Sequence, residues 1–431
     1  MLIRFTVENF LSFKDKTTFS MIKSSEKSLP EHVITQKGFS ALKGAVIYGA
    51  NASGKSNLLK AIETAKTLIE DSHSSKACQF KLAAKNRTSP SMVEFEFTTD
   101  DKNAYAYGFS WDTTGFKEEW LYKLSKQSET KLFTRKGKIV DANKKQFTGF
   151  EGLLKSMPDD KLVLNLIAKM DISKPTTLFK HINRCFEWFE NSLLIIFPET
   201  RFKHWESLLI EDDFKEHMKK SLDLFGIHLN DIDFEDIKME QVGVPKQIID
   251  DIDLNLKDKE ITFLKSSYQF YFFQRKKGQL LASELKFFRT DDTEEKQPFS
   301  LSDESDGTQR LTDFLPLFLM IKERKNMTIF IDEMDRSLHP ELTRKLLENL
   351  LAMSEPSQTI ITTHDVGLLD SDILRRDEIW FTEKNKGASI AYSLSDFKLR
   401  KDKSVKKDYL IGRYGAIPCF GSNTDWLVTK S

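Results

Sequence analysis

Gly49-Ala50-Asn51-Ala52-Ser53-Gly54-Lys55-Ser56 is the stretch on which the reading of this 431-residue chain turns. It satisfies the spacing G-x-x-x-x-G-K-[ST], and each position has a physical reason. Glycines let a loop wrap closely, so that successive backbone N–H groups point at one set of phosphate oxygens. Lys55 reaches the β- and γ-phosphates, and the Ser56 hydroxyl is a ligand for Mg2+. A random chain of this length would show the pattern about once in fifty to a hundred trials. The flanks here are those the motif requires. The apolar run 45–48, bounded by Gly44 and Gly49, predicts a buried parallel strand. Leu58, Leu59, Ile62, Ala65 and Ile69 then share one face of a helix beginning near Lys55, whose positive N-terminal end adds to the anion site.

A phosphate loop needs a second carboxylate to hold the metal. Thr328-Ile329-Phe330-Ile331-Asp332-Glu333 supplies it, as an apolar strand ending in two acids. Asp332 is placed to hold Mg2+ through water, and Glu333 to orient or deprotonate the attacking water. Thr359-Ile360-Ile361-Thr362-Thr363-His364 is another apolar strand, ending in a histidine. A lone His at a strand end is usually structural; after the two preceding motifs, in this order, a sensor of the γ-phosphate is the better reading. The turn Ser302-Asp303-Glu304-Ser305-Asp306-Gly307-Thr308-Gln309-Arg310 leads into the apolar stretch 311–321. Ser305, Gly307 and the helix N-terminus there together make an anion-binding surface, but taken in isolation the turn reads better as an ordinary N-cap. Pro316 predicts a kinked helix or a late helix start.

Around these motifs the pattern is less specific. Ile3, Phe5 and Val7 alternate with charged and polar residues, and Phe19-Ser20-Met21 follows a turn, so the first 25 residues predict two short strands. Residues 92–111 predict a β-hairpin with aromatics on both arms. From about 150 to 260 the pattern is mainly helical, and 231–260 is locally acidic. Asp251-Ile252-Asp253 is a formal D-x-D within that acidity and reads as a solvated face. The basic run 398–407 reads the same way. Core packing is the default for Phe263, Phe270, Phe272 and Phe273, although a subunit interface fits equally.

The 65 Lys and Arg are balanced by 65 Asp and Glu, so bulk basicity does not hold this chain to nucleic acid or anionic lipid. No apolar run reaches the roughly 20 residues of a membrane span, and the charged N-terminus lacks a secretory pattern. Cys78, Cys185 and Cys419 are odd in number and far apart, which excludes a disulfide framework or a C-x-x-C metal site. A cytoplasmic protein with reduced thiols is expected.

Four segments together resemble one family: Gly-Ala-Asn-Ala-Ser-Gly-Lys-Ser-Asn (49–57), Ser-Asp-Gly-Thr-Gln-Arg (305–310), Asp-Glu-Met-Asp-Arg-Ser-Leu-His-Pro (332–340) and Thr-Thr-His-Asp (362–365). The set is similar to the ABC-type ATPases of the SMC, RecF and OLD group. More narrowly it resembles the RloA and AbiLi type of ATPases of bacterial anti-phage defence. Val-Glu-Asn-Phe-Leu-Ser-Phe (7–13) and Gly-Arg-Tyr-Gly-Ala-Ile-Pro (412–418) fit that narrower group.

The resemblance implies an α/β fold, an ABC-type P-loop head. Its N-terminal part would span 1–125 and its C-terminal part 286–397, around a mainly helical inserted lobe at 126–285, with a tail at 398–431. It implies ATP and Mg2+ as ligands, with Gly49, Asn51, Ser53, Gly54, Lys55, Ser56 and Asn57 around the nucleotide and Ser56 and Asp332 on the metal. Glu333 would be the catalytic base and His364 the switch histidine, with Lys55 as the third catalytic residue. Ser305 and Gly307 would stand in the signature motif that meets the γ-phosphate on a partner subunit, and Asp335 in the loop at that interface. No glutamine is placed in the metal shell by motif; Gln79 is a candidate by position alone.

Two copies would sandwich ATP, as a homodimer or a higher homo-oligomer, and hydrolysis would open them. The implied role is a sensor subunit of a defence system, controlling a nuclease-like effector encoded nearby. The alternative is a RecF- or SMC-like ATPase that clamps DNA, so nucleic acid stays among the partners considered, and a membrane does not. Spacing argues against a third reading, a transporter subunit, since Lys55 and Asp332 lie 277 positions apart. The 67 residues after His364 leave little chain for a built-in effector.

Overall fold

The computed structural model describes all residues except 37, 72–77, 143–151, 153–155, 172–175, 201–211, 259, 267–268, 325, 354–356, 371, 399–403 and 419–431. The chain divides into two units. The first comprises Met1–Pro198, Arg324–Asp335 and Leu347–Ser431; the second comprises Glu199–Glu323 and Arg336–Leu346.

In the first unit the short apolar runs become a six-stranded sheet. Its order is Leu193–Ile196, Thr328–Ile331, Gln358–Thr362, Gly44–Tyr48, Ile379–Asn385, Ala388–Ser393. All neighbours are parallel except the last pair, a hairpin. Every residue of Gly44–Tyr48, Thr328–Ile331 and Gln358–Thr362 is buried. Strands covered on both faces have no polar side to alternate, and so they read as continuous apolar runs. The segments 49–55, 332–335 and 363–364 follow the C-terminal ends of parallel neighbours and therefore emerge at one edge of the sheet.

The alternating N-terminal segments build a second, antiparallel sheet of seven strands. Its order is Ile139–Ala142, Glu129–Lys136, Gly115–Leu124, Ala104–Asp112, Ser91–Thr98, Leu2–Glu8, Thr17–Ser20. It runs on to Ala142, past the boundary expected near residue 125. Phe5, Phe95, Phe97, Tyr105, Tyr107 and Phe109 from this sheet share one core with Ile47, Phe330, Ile360 and Trp380 of the other. The apolar face of the helix Lys55–Asp71 (Leu58, Leu59, Ile62, Ala65, Ile69) closes the same core. Gln358, fully buried, locks the two sheets together. Its amide group donates to Leu2 O at 3.0 Å and Leu42 O at 2.9 Å, and its oxygen accepts from Leu2 N at 2.5 Å and Thr328 Oγ1 at 3.1 Å. The motif 412–418 packs here too: Tyr414 stacks on Phe381 at 5.7 Å, and its carbonyl accepts from Tyr392 Oη at 2.6 Å.

The second unit corrects the expectation of a mainly helical insert. Alongside the helices Asp212–Leu224, Lys246–Asn255 and Asp306–Glu323 it holds an antiparallel sheet of five strands: Asp231–Ile237, Ile261–Ser266, Gln269–Lys276, Gln279–Thr290 and Lys296–Ser300. Lys277 and Gly278, both at positive φ (51° and 80°), form the two-residue turn between its central strands, where left-handed backbone matches the twist of a hairpin. Phe270 and Phe273 are buried. Phe263 and Phe272 lie half-buried in a ring cluster with Phe234, at centroid separations of 5.3–6.3 Å. Asp251 and Asp253 sit exposed on a helix, Asp253 paired with Arg275 Nη2 at 2.5 Å, as a solvated face requires. Pro316 lies inside one continuous helix that starts at Asp306.

Candidate functional site

The phosphate loop is built around two backbone positions that few side chains tolerate. Ala52 has φ 62° and Gly54 φ 121°. A Cβ on Gly54 would run into the Ser389 side chain, and one on Gly49 would lie 2.5 Å from Ser53 Oγ and from Thr382 O. Both glycines are thus set by close approach of backbone to neighbouring strands. Ser53 N donates to Ala50 O at 3.1 Å inside the loop, and Leu58 N donates to Gly54 O at 3.0 Å as the first helical bond. The N–H groups of Lys55, Ser56 and Asn57 therefore form the first turn, where no intrahelical acceptor exists. Asn51 is exposed, and Ser56 and Asn57 are half-buried.

Lys55 is 6% exposed, and its ammonium donates to Gly49 O at 2.7 Å and Ala50 O at 3.3 Å. Burial lowers its pKa, against the opposing pull of Asp332, Glu333 and Asp335. Those three acids act on it from the end of the strand Thr328–Ile331, two strands away in the sheet. Asp332 is buried, and its Oδ1 accepts from Thr362 Oγ1 at 2.6 Å; the same hydroxyl accepts from Glu333 N at 2.8 Å. Glu333 itself is left-handed at φ 48°, an uncommon state for a glutamate that the Thr362 clamp holds in place. Asp335 accepts from the backbone N–H of His364 at 3.2 Å and 3.4 Å. The His364 imidazole is held below its ordinary pKa, first by burial and then by the Lys55 charge, while Asp335, Glu333 and Asp332 pull the other way. Lys55, Asp332, Glu333, Asp335 and His364 therefore share one electrostatic neighbourhood.

Ser305 and Gly307 belong to the second unit. Ser305 Oγ accepts from Thr308 N at 3.2 Å, the N-cap geometry of the helix Asp306–Glu323, and a Cβ on Gly307 would lie 3.2 Å from Ser337 O. Gln79 is buried, in a segment whose Cys78 O accepts from Leu11 N at 2.6 Å.

These residues suit a magnesium-bound triphosphate. The glycine cradle admits no side chain at Gly54, a buried ammonium held by two loop carbonyls feels the charge of three acids, and Ser56 and Asp332 offer one hydroxyl and one carboxylate. Among the described residues no group of three or more His, Cys, Asp or Glu is arranged to hold a metal. A magnesium ion that shares phosphate oxygens and keeps its waters asks only for one or two protein ligands.

Sequence reasoning missed Thr362, Thr382, Ser12 and Ser389. Thr362 stood inside the quoted strand, and a Thr directly before the strand's last polar residues was its only signal. Ser12 stood inside the 7–13 motif, and Ser389 is one polar residue on an alternating strand.

The family profile described as "AAA domain, putative AbiEii toxin, Type IV TA system" matches residues 45–370. The chain belongs to this family. The AAA match spans both the phosphate loop and His364, so the site lies within the family's own domain. No curated protein matches the sequence. Among solved structures, the SMC head bound to the C-terminal winged-helix domain of ScpA aligns at 14% identity, over 93% of this chain and 98% of that one, with a TM-score of 0.45. The SMC head domain from Thermotoga maritima aligns at 14% identity over 92% and 99%, with a TM-score of 0.40. The recombination mediator RecF aligns at 13% identity over 91% and 98%, with a TM-score of 0.37. Nothing about partners or activity follows from likenesses at this level. The chain is an α/β protein of this AAA family. No described helix is long and apolar enough to cross a membrane.

Proposed function

We propose that this chain binds and hydrolyses ATP as an ABC-type ATPase, and serves as the sensor or regulatory subunit of an anti-phage defence system with a separate, nuclease-like effector. The observation that carries the catalytic half is the shared neighbourhood of Lys55, Asp332, Glu333, Asp335 and His364 beside one glycine loop. The defence half rests on the resemblance of the motif set at 7–13, 49–57, 305–310, 332–340, 362–365 and 412–418 to ATPases of anti-phage defence. The family description, which names a type IV toxin–antitoxin system, supports a two-component system of that kind and names no sensor.

In this reading the first-turn N–H groups and Lys55 neutralise the phosphates. Asp332 and Ser56 would hold Mg2+, which when bound neutralises charge shared by the β- and γ-phosphates. Glu333 accepts a proton from the attacking water, and His364 contacts the γ-phosphate. Ser305 and Gly307 would act on the nucleotide of a second copy, with Asp335 at that interface, so the working unit is a homodimer.

The test is ATP turnover by the purified chain with Mg2+, beside Lys55→Ala. Turnover in wild type and weakened nucleotide binding in the variant are expected. A wild-type protein without turnover, or a variant that binds ATP equally well, sinks the assignment. Strong stimulation by duplex DNA, with steeply salt-dependent binding, would favour the DNA-clamping alternative over the defence role.

A further inference from the structure

Ser389 lies in the strand Ala388–Ser393, outside every nucleotide-binding motif, and is 2% exposed. Its hydroxyl donates to Ser53 O at 2.6 Å, across 336 residues of sequence. The Ser12 hydroxyl oxygen lies 2.8 Å from Ser389 Oγ, and Asn57 Nδ2 donates to Ser12 Oγ at 2.8 Å. A carbonyl can only accept, and each hydroxyl carries one proton. The Ser389 proton is therefore shared between two acceptors, Ser53 O and Ser12 Oγ, while Ser12 Oγ also accepts from the Asn57 amide. A second pin acts beside it. Thr382 Oγ1 donates to Tyr48 O at 3.3 Å, so the Ser53 hydroxyl donates to Thr382 Oγ1, at 2.7 Å.

A trans peptide unit sends its C=O and its N–H in opposite directions. Holding Ser53 O therefore fixes the direction of Gly54 N–H, the donor at the turn into the helix. We propose that Ser389 is a positioning residue of the phosphate loop: it orients the Ser53–Gly54 peptide and, through Ser12, couples that orientation to the Asn57 side chain. The ligand class it serves is the polyphosphate rather than the nucleoside. Gly54 belongs to the same device, because only a residue without Cβ lets Ser389 approach. The strand's own backbone keeps the distance, with Ser389 N donating to Ser12 O at 2.7 Å. This inference rests on the ATP-binding reading of the loop.

The test uses the full chain and three probes: ATP and inorganic tripolyphosphate by calorimetry, and AMP by ligand-observed NMR. Ser389→Ala should weaken ATP and tripolyphosphate by about tenfold, the scale of one unmade buried hydrogen bond, and leave AMP within about twofold. The melting temperature without ligand should move little, while the rise that ATP produces shrinks. Ser12→Ala should give the same pattern more weakly, because Ser389 still reaches Ser53 O. Equal tripolyphosphate affinity in wild type and Ser389→Ala overturns the inference, as does an equal loss for AMP. If Ser389→Ala melts before it can be titrated, the Ser12→Ala pattern decides by the same two criteria. A wild-type protein that binds neither ATP nor tripolyphosphate overturns the ATP reading itself, and the inference with it.

Discussion

Glu333 follows the buried Asp332 directly, and its amide is tied to Thr362, so its backbone is fixed whatever its side chain carries. Exchanging the carboxylate for an amide should therefore remove proton acceptance and leave the loop in place. Glu333→Gln is expected to bind ATP as wild type does while turnover falls by about 10²-fold or more, the usual worth of a positioned base. Stopped-flow binding beside steady-state phosphate release checks both halves, and unchanged turnover removes the base assignment. His364 offers a second residue-scale prediction, with its sign set by its neighbours. Its pKa lies below the ordinary value near 6.5, so the imidazole is neutral at neutral pH. As pH falls below about 6.5 the unfolded chain takes up this proton before the folded one. Stability is thus lost on acidification until the folded pKa is passed. An anionic triphosphate beside Lys55 and His364 should raise that pKa. NMR titration of labelled histidines, assigned with His364→Gln, should show a midpoint below 6.5 that climbs when ATP is added.

At the scale of elements, what was legible in the sequence followed the physics of burial. Residues 45–48, 328–331 and 359–362 announced themselves because strands covered on both faces need unbroken apolar runs. The helix after Lys55 was legible because its core face repeats every three to four residues. The sheet of the second unit was not. Phe270, Phe272 and Phe273 crowd both faces of one strand, and Lys277-Gly278 is a weaker turn signal than Asn-Gly, so the alternation was hidden among charges. The site divides the same way. In the proposed reaction Lys55, Asp332 and His364 carry chemistry that fixes their residue type and spacing, whereas Ser389 needs only a hydroxyl near a carbonyl that sequence does not place beside it. The loop gives an element-scale prediction. An alanine at Gly54 must adopt φ 121° and make room against Ser389, a strain of about 1–3 kcal/mol. Gly54→Ala is expected to lose nucleotide affinity by at least about tenfold, because the loop can relax away from the cradle shape. The urea midpoint of the remaining fold should shift much less; a large shift with affinity retained contradicts this account.

For the whole molecule the open quantity is how many copies make one working site. Lys55 stands in the first unit and Ser305 in the second, and the proposed sandwich has each copy lend its Ser305 segment to the nucleotide of the other. A zero net charge puts no long-range repulsion between two copies. If the site is shared, Lys55→Ala and Ser305→Arg should each abolish turnover, and for different reasons. The first fails to hold ATP; the second binds it and fails to close. Mixed in equal amounts, half of the random dimers pair one variant with the other. Each such dimer holds one site with both lesions and one with neither, so about a quarter of wild-type turnover should return if sites act independently. Light scattering of Glu333→Gln with ATP should in parallel show a dimer that neither ADP nor the Ser305→Arg change supports. Turnover in the mixture no higher than in either variant alone, together with a monomer under ATP, would place the whole reaction within one chain.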